Sequence, residues 1–204
     1  MEVPSPPNLD VGPIWFHAAS AGDVRAVSPL IQAVSMARPK SPLYLTTWTS
    51  TGRRMARRVL PRIPLGRPPI DVPPLPGLAM RRIRPRLLVL EYLELWPSWI
   101  RACARYDVPI VVVDGSVSHR SLRIAPLLRR AAGQIATFCA QTLCDAENAR
   151  KLGVPSDRIR IHGNGKYDGL IGQPPALNME LSENVGLVDV VVGSLHPDEE
   201  KGAL

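Results

Sequence analysis

The sequence is poor in aromatic residues, sparing with cysteine and free of long uncharged apolar runs. Aromatics make up 5% of the 204 residues and are not interleaved with the basic clusters, so the stacking platforms that grip nucleic acid are missing and no nucleic-acid partner is expected. Cys103, Cys139 and Cys144 offer neither the even count of a disulfide scaffold nor the close spacing of a zinc site, a usage that fits a reducing cytoplasm. Cys139, inside the apolar run Ile135 to Ala140, reads as a small core hydrophobe. No stretch approaches the roughly 20 apolar residues of a spanning helix. Met1 to Gly12 are polar and proline-rich without a signal-peptide pattern, so a chain that neither crosses a membrane nor is exported is expected.

What the sequence does contain is alternation. Strands are expected near 14–17, 43–47, 87–91, 108–113, 135–140 and 158–161, with helices near 24–36, 50–59, 97–105, 121–131 and 144–151 between them. That order predicts an α/β fold, a parallel sheet covered by helices on both faces. The segment Gly169 to about residue 185 reads as a linker, and Val188 to Val192 as a fresh strand ending in Gly193-Ser-Leu-His196.

Two strand ends deliver acids. Glu91-Tyr-Leu-Glu-Leu-Trp-Pro97 follows the apolar run Leu87 to Leu90, and Ala18-Ala-Ser-Ala-Gly-Asp23 follows Ile14-Trp-Phe-His17. Buried charge is costly unless compensated, and ligands of open α/β sheets collect at the carboxyl ends of strands. Glu91, Glu94 and Asp23 are therefore site candidates, with capping of a helix start as the plainer alternative for Asp23 and Glu94. Pro97 suits a first helical turn and places Glu94 at the mouth of a helix. His17 reads as a core histidine or a site residue. Ser20 and Gly22 form a tight loop whose amides suit a phosphate or sugar, and Thr46, Thr47, Thr49 and Ser50 a hydroxyl-rich turn suited to capping or to acceptor contact.

These stretches also resemble a known family. The His, small residues, Ser, Gly and acid of His17 to Asp23, followed by Glu94-Leu-Trp-Pro97, are similar to the 3-deoxy-D-manno-octulosonic acid (Kdo) transferases of lipopolysaccharide synthesis. Thr46-Thr-Trp-Thr-Ser-Thr-Gly52, Ile70-Asp-Val-Pro73, Ser118-His-Arg-Ser121, Ala140-Gln141, Asp145-Ala146, Leu152-Gly153, Gly163-Asn-Gly-Lys-Tyr-Asp168 and Gly193-Ser-Leu-His-Pro-Asp-Glu-Glu200 continue the likeness in order.

The resemblance implies the amino-terminal half of a GT-B glycosyltransferase. A polar leader would occupy 1–12, a Rossmann-like acceptor-side domain 13–168 and a linker 169–185; the first strand and loop of a truncated donor-side domain would follow at 186–204. It implies an inverting transfer of Kdo from CMP-Kdo to a lipid A precursor, with Asp23 and Glu94 catalytic. Ser20, Gly22, Thr47, Thr49 and Arg120 would bind the acceptor, and Lys166, His196 and Glu199 the donor. The family usually has glutamate where Asp23 stands, and its members commonly begin with a membrane anchor ahead of the first strand. No metal or cofactor is expected beyond CMP-Kdo as donor substrate.

The formal charge of +7 is concentrated in Arg53-Arg54-Met-Ala-Arg57-Arg58 and Arg81-Arg82-Ile-Arg84-Pro-Arg86, patches that attract anionic lipid when they are not simply solvated faces. A cytoplasmic protein, peripheral on the inner face of the inner membrane, is the expected setting, and a separate donor-domain chain a further conceivable partner. Two other readings fit the residues: a non-catalytic module binding anionic glycolipid or a partner, and a sugar-nucleotide enzyme such as an epimerase.

Overall fold

The computed structural model describes residues 12–170. Seven strands form one sheet in the order β3-β2-β1-β4-β5-β6-β7, every neighbouring pair parallel. They are β1 (Ile14–His17), β2 (Leu43–Thr46), β3 (Leu65–Gly66), β4 (Leu87–Glu91), β5 (Ile110–Gly115), β6 (Ile135–Ala140) and β7 (Ile159–Ile161). The helices are α1 (Ala21–Ala37), α2 (Ser50–Val59), α3 (Leu75–Ile83), α4 (Pro97–Arg105), α5 (His119–Arg123), α6 (Ala125–Ala132) and α7 (Leu143–Leu152). This is a Rossmann-like fold, the amino-terminal half of the GT-B architecture.

Successive side chains of a strand point to opposite faces, and β1 shows the result. Ile14 and Phe16 join Val24, Val27, Ile31 and Leu45 in one core, whereas Trp15 joins Leu88, Leu90, Trp99, Ile110 and Phe138 in the other. Helices α1, α2 and α7 start on side-chain caps: Ser20, Thr49 and Thr142 each accept the backbone N–H three residues on. Pro29 sits inside α1 without a donor for the carbonyl of Arg25. The Ser28 hydroxyl donates to that carbonyl at 2.9 Å and makes good the loss.

The expected alternation is present, with instructive differences. α1 begins at Ala21 rather than near Val24 because Ser20 is its cap. β5 starts at Ile110, two residues late, and runs on to Gly115. The helix expected over 121–131 is two helices, broken at Ile124 where Pro126 opens α6. β3 and α3 went unread: the first has only two residues, and the second follows Pro68, Pro69, Pro73 and Pro74. Cys139 lies on β6 but is half-buried. Cys103 is the thiol enclosed in the core, and burial pushes it up to about 12. Among the described residues no helix is long and apolar enough to cross a membrane. The leader before Gly12, the expected linker from residue 171 on and the strand Val188 to Val192 lie outside the described residues.

Candidate active site

From the β1/β4 pair the sheet grows one way through β2 and β3 and the other way through β5, β6 and β7. The chain therefore leaves β1 and β4 in opposite directions, and the crevice between their carboxyl ends is where ligands of such sheets bind. The Ala18–Asp23 and Tyr92–Trp96 segments enter it.

The first segment is stitched to the turn after β2. The carbonyl of Ala19 accepts the Trp48 N–H at 3.1 Å, the Thr49 N–H at 3.3 Å and the Thr47 hydroxyl at 2.9 Å. Gly52 makes this close approach possible, because a Cβ there would run into Thr47 Oγ1 and come within 2.9 Å of Thr49 Oγ1 and 3.2 Å of Ser20 C. Gly52→Ala is accordingly expected to destabilise the chain by about 1–3 kcal/mol through overpacking, measured by urea unfolding. An unchanged midpoint would mean that the turn is free to shift.

His17, expected in the core or in the site, serves both. It is 1% exposed, its Nδ1 lies 3.0 Å from Thr46 Oγ1 and its Nε2 3.0 Å from Glu94 Oε2. Thr46 Oγ1 also accepts the Trp15 indole N–H at 2.8 Å, and Trp96 donates its indole N–H to Glu94 Oε2 at 3.1 Å. Burial alone would raise the Glu94 carboxyl, but hydrogen bonding and charge from His17, with the bond from Trp96, outweigh it and hold Glu94 below the usual carboxylate range. Glu94 is thus a fixed, ionised carboxylate.

Asp23 is the third residue of α1 and closes a capping box. Its Oδ2 accepts the Ser20 N–H at 2.8 Å, and Ser20 Oγ accepts the Asp23 N–H at 3.4 Å. The role of cap itself falls to Ser20. The acid that feels the Asp23 charge is Glu91, not Glu94. Glu91 is 2% exposed and neither carboxyl oxygen has a hydrogen-bond partner among the described residues. Burial pushes it up to about 9, and the charges of Asp114 and Asp23 add to the rise. It is a neutral acid at pH 7.

Asp114 at the end of β5 is the acid that sequence reasoning missed. Its Oδ1 accepts the Gly165 N–H at 2.7 Å, and its carbonyl accepts the Gln141 amide at 2.8 Å. Its φ is 49° and that of Tyr92, on the neighbouring strand end, is 61°; two non-glycine residues in the left-handed region at one sheet edge are the strain that gathers at functional sites. The signal was available, since Asp114 ends the run Ile110 to Val113 just as Glu91 ends Leu87 to Leu90.

The remaining candidates are spread out. Gly22 is exposed on the first turn of α1, Thr47 and Thr49 lie in the stitched turn, and Arg120 is in α5. Lys166 is exposed, its N–H bonded to Asn164 Oδ1 at 2.9 Å. His196, Glu199 and Glu200 lie outside the described residues. Asp71 of the Ile70–Pro73 motif accepts the N–H groups of Ser98 and Trp99 at 2.8 and 3.0 Å, and so fixes the start of α4 beside Glu94.

A parallel sheet with acids converging on its switch point defines the class, a Rossmann-like domain. UDP-GlcNAc 2-epimerase from Neisseria meningitidis shares the fold with a TM-score of 0.57 over 77% of this chain and 48% of that one, at 14% identity. A further UDP-N-acetylglucosamine 2-epimerase does so with a TM-score of 0.59 over 79% and 48%, at 15% identity. At such identity the likeness concerns architecture alone. The family is settled by sequence: residues 2–169 match the model of the 3-deoxy-D-manno-octulosonic-acid transferases, and the chain belongs to that family. Similar relatives are the 3-deoxy-D-manno-octulosonic acid transferases of Bordetella pertussis, 31% identical over 76% of this chain and 38% of its own length, and of Haemophilus influenzae, 29% identical over 76% and 38%. That of Rickettsia felis is 29% identical over 92% of this chain and 41% of its own length. The chain spans about two-fifths of the length of the curated relatives it matches.

Proposed function

We propose that the chain is the acceptor-side half of a transferase that moves Kdo from CMP-Kdo to a lipid A precursor with inversion. The observation that carries this reading is the placing of Asp23 and a fixed Glu94 on either side of the crevice between β1 and β4. Asp23 Oδ2 is engaged by Ser20, while Oδ1 accepts no hydrogen bond among the described residues. That oxygen takes the proton of the acceptor hydroxyl as the hydroxyl oxygen attacks the anomeric carbon and the CMP phosphate departs. Glu94, ionised and held by His17 and Trp96, orients the acceptor, and Ser20, Gly22, Thr47, Thr49 and Arg120 supply further acceptor contacts. Donor binding is assigned to Lys166, His196 and Glu199. The test is incubation of the transfer-competent protein, donor-side half included, with CMP-Kdo and lipid A precursor. A Kdo-bearing lipid in the mass spectrum is expected; no product, or product only from a UDP-sugar, overturns the reading.

The acceptor is a lipid, so the protein works at an anionic membrane surface as a peripheral, cytoplasmic-face enzyme. Arg54, Arg57 and Arg58 are exposed on α2, whereas Arg53 is half-buried with an enclosed Nη1 that has no partner among the described residues. The lipid-facing charge is therefore carried by three of the four arginines. With roughly 1 kcal/mol per basic residue near anionic lipid, an Arg54/Arg57/Arg58→Gln variant is expected to sediment with phosphatidylglycerol vesicles at least about tenfold more weakly, and wild-type binding to fall as salt rises. Equal, salt-insensitive binding by both would remove the basic face from the argument.

A further inference from the structure

Aromatic residues are scarce in this chain, yet its four tryptophans converge. Ring centroids run Tyr44 to Trp15 at 6.2 Å, Trp15 to Trp99 at 5.1 Å, Trp99 to His17 at 5.1 Å, His17 to Trp48 at 6.4 Å and Trp48 to Trp96 at 6.4 Å. The inner end is core, with Trp15 and Trp99 at 0% and 2% exposed. The outer end is open: Trp48 is half-buried and Trp96 is 37% exposed. Core packing accounts for the first pair and leaves the second unexplained.

The planes of Trp48 and Trp96 are inclined by 58°, so the rings form two walls rather than a stack. Trp96 is held by its indole bond to Glu94 and by the fixed start of α4, which Asp71 caps. Glu94 lies at the root of the walls. Its Oε2 is taken by His17 and Trp96, and its Oε1 accepts nothing among the described residues. An indole face beside a fixed carboxylate is the chemistry that recognises a pyranose: the C–H face of the sugar packs on the ring and a hydroxyl donates to the carboxylate. A fatty acyl chain would use the walls but would strip water from an ionised Glu94 without replacing its hydrogen bonds, which is costly.

We infer that Trp48 and Trp96 form a sugar-stacking subsite that holds a pyranose ring of the acceptor, with one of its hydroxyls on Glu94 Oε1. This rests on the acceptor-side reading above. The subsite makes Trp96 a specificity-determining residue, selecting a ring with an apolar face in the crevice.

The test uses the 204-residue chain with its indole nitrogens labelled, titrated with the acyl-free glucosamine disaccharide bisphosphate and followed by NMR. The Trp48 and Trp96 indole resonances are expected to shift while those of Trp15 and Trp99 stay, the latter also reporting an intact core in every variant. Trp96→Leu and Trp48→Leu are expected to weaken binding about tenfold, and Trp96→Phe to lose less. Binding that leaves both outer tryptophans unmoved overturns the subsite while the acceptor-side reading stands. Absence of any binding of the disaccharide removes both. If phosphatidylglycerol vesicles without glycolipid move Trp96 and the disaccharide does not, the pair is a membrane contact and the proposal falls.

Discussion

Asp23→Asn in the transfer-competent protein is expected to lower the transfer rate roughly a hundredfold to ten-thousandfold, the range for loss of a general base. Asparagine keeps the size of the side chain and an oxygen able to accept the Ser20 N–H, so the capping box that Asp23 closes survives in its main bond. Helix α1 should therefore stay formed, with a stability change under about 1 kcal/mol. Kdo transfer and urea unfolding measured on the same variant separate the two roles of the residue. Full activity with lowered stability would leave Asp23 a capping residue only, and the base would have to be sought elsewhere in the crevice.

Asp23→Glu is the complementary change. Glutamate is a favoured capping-box partner at this helix position and is the residue usual in the family, so the fold should accept it. A rise in rate would mean that the shorter aspartate stands back from the acceptor hydroxyl; a fall would mean that the backbone of Ser20 to Asp23 has adapted to it. Displacements of about 1 Å are worth on the order of a hundredfold.

Much of this was legible in the sequence because runs such as Leu87 to Leu90 and Ile110 to Val113 are apolar throughout, as doubly covered strands tend to be. Glu91, at the end of the first, followed from the same pattern. What stayed hidden depends on contacts between distant segments. The Glu91–Asp114 pair joins residues of different strands, and only the neighbouring register of β4 and β5 brings them together. Likewise Trp15, Trp48, Trp96 and Trp99 come from β1, the turn after β2, the loop after β4 and α4, and no periodicity relates them. β3, with two residues, is too short to show any period at all.

The buried acid pair carries the other large effect. A carboxyl that titrates near 4.5 in the unfolded chain and near 9 in the folded one binds its proton more tightly in the native state. Below about pH 4.5 both states hold the proton and Glu91 contributes no pH dependence. Between about 4.5 and 9 the unfolded chain has lost it while the folded chain keeps it, so stability falls as pH rises, by roughly 1.4 kcal/mol per pH unit for one proton, and levels off above about 9. Glu91→Gln removes the titration but keeps the shape of the side chain. Urea unfolding of wild type and variant from pH 5.5 to 8 should therefore give stability curves that diverge by about one proton, the variant gaining on the wild type by several kcal/mol across that range. Parallel curves would show that Glu91 is ionised in the fold. Asp114→Asn should displace the wild-type curve less, because burial is the leading cause of the shift and the Asp114 charge only adds to it. A proton on Glu91 keeps one negative charge away from Asp23 at neutral pH, so the crevice holds its acids in separate states, Glu91 neutral and Glu94 ionised.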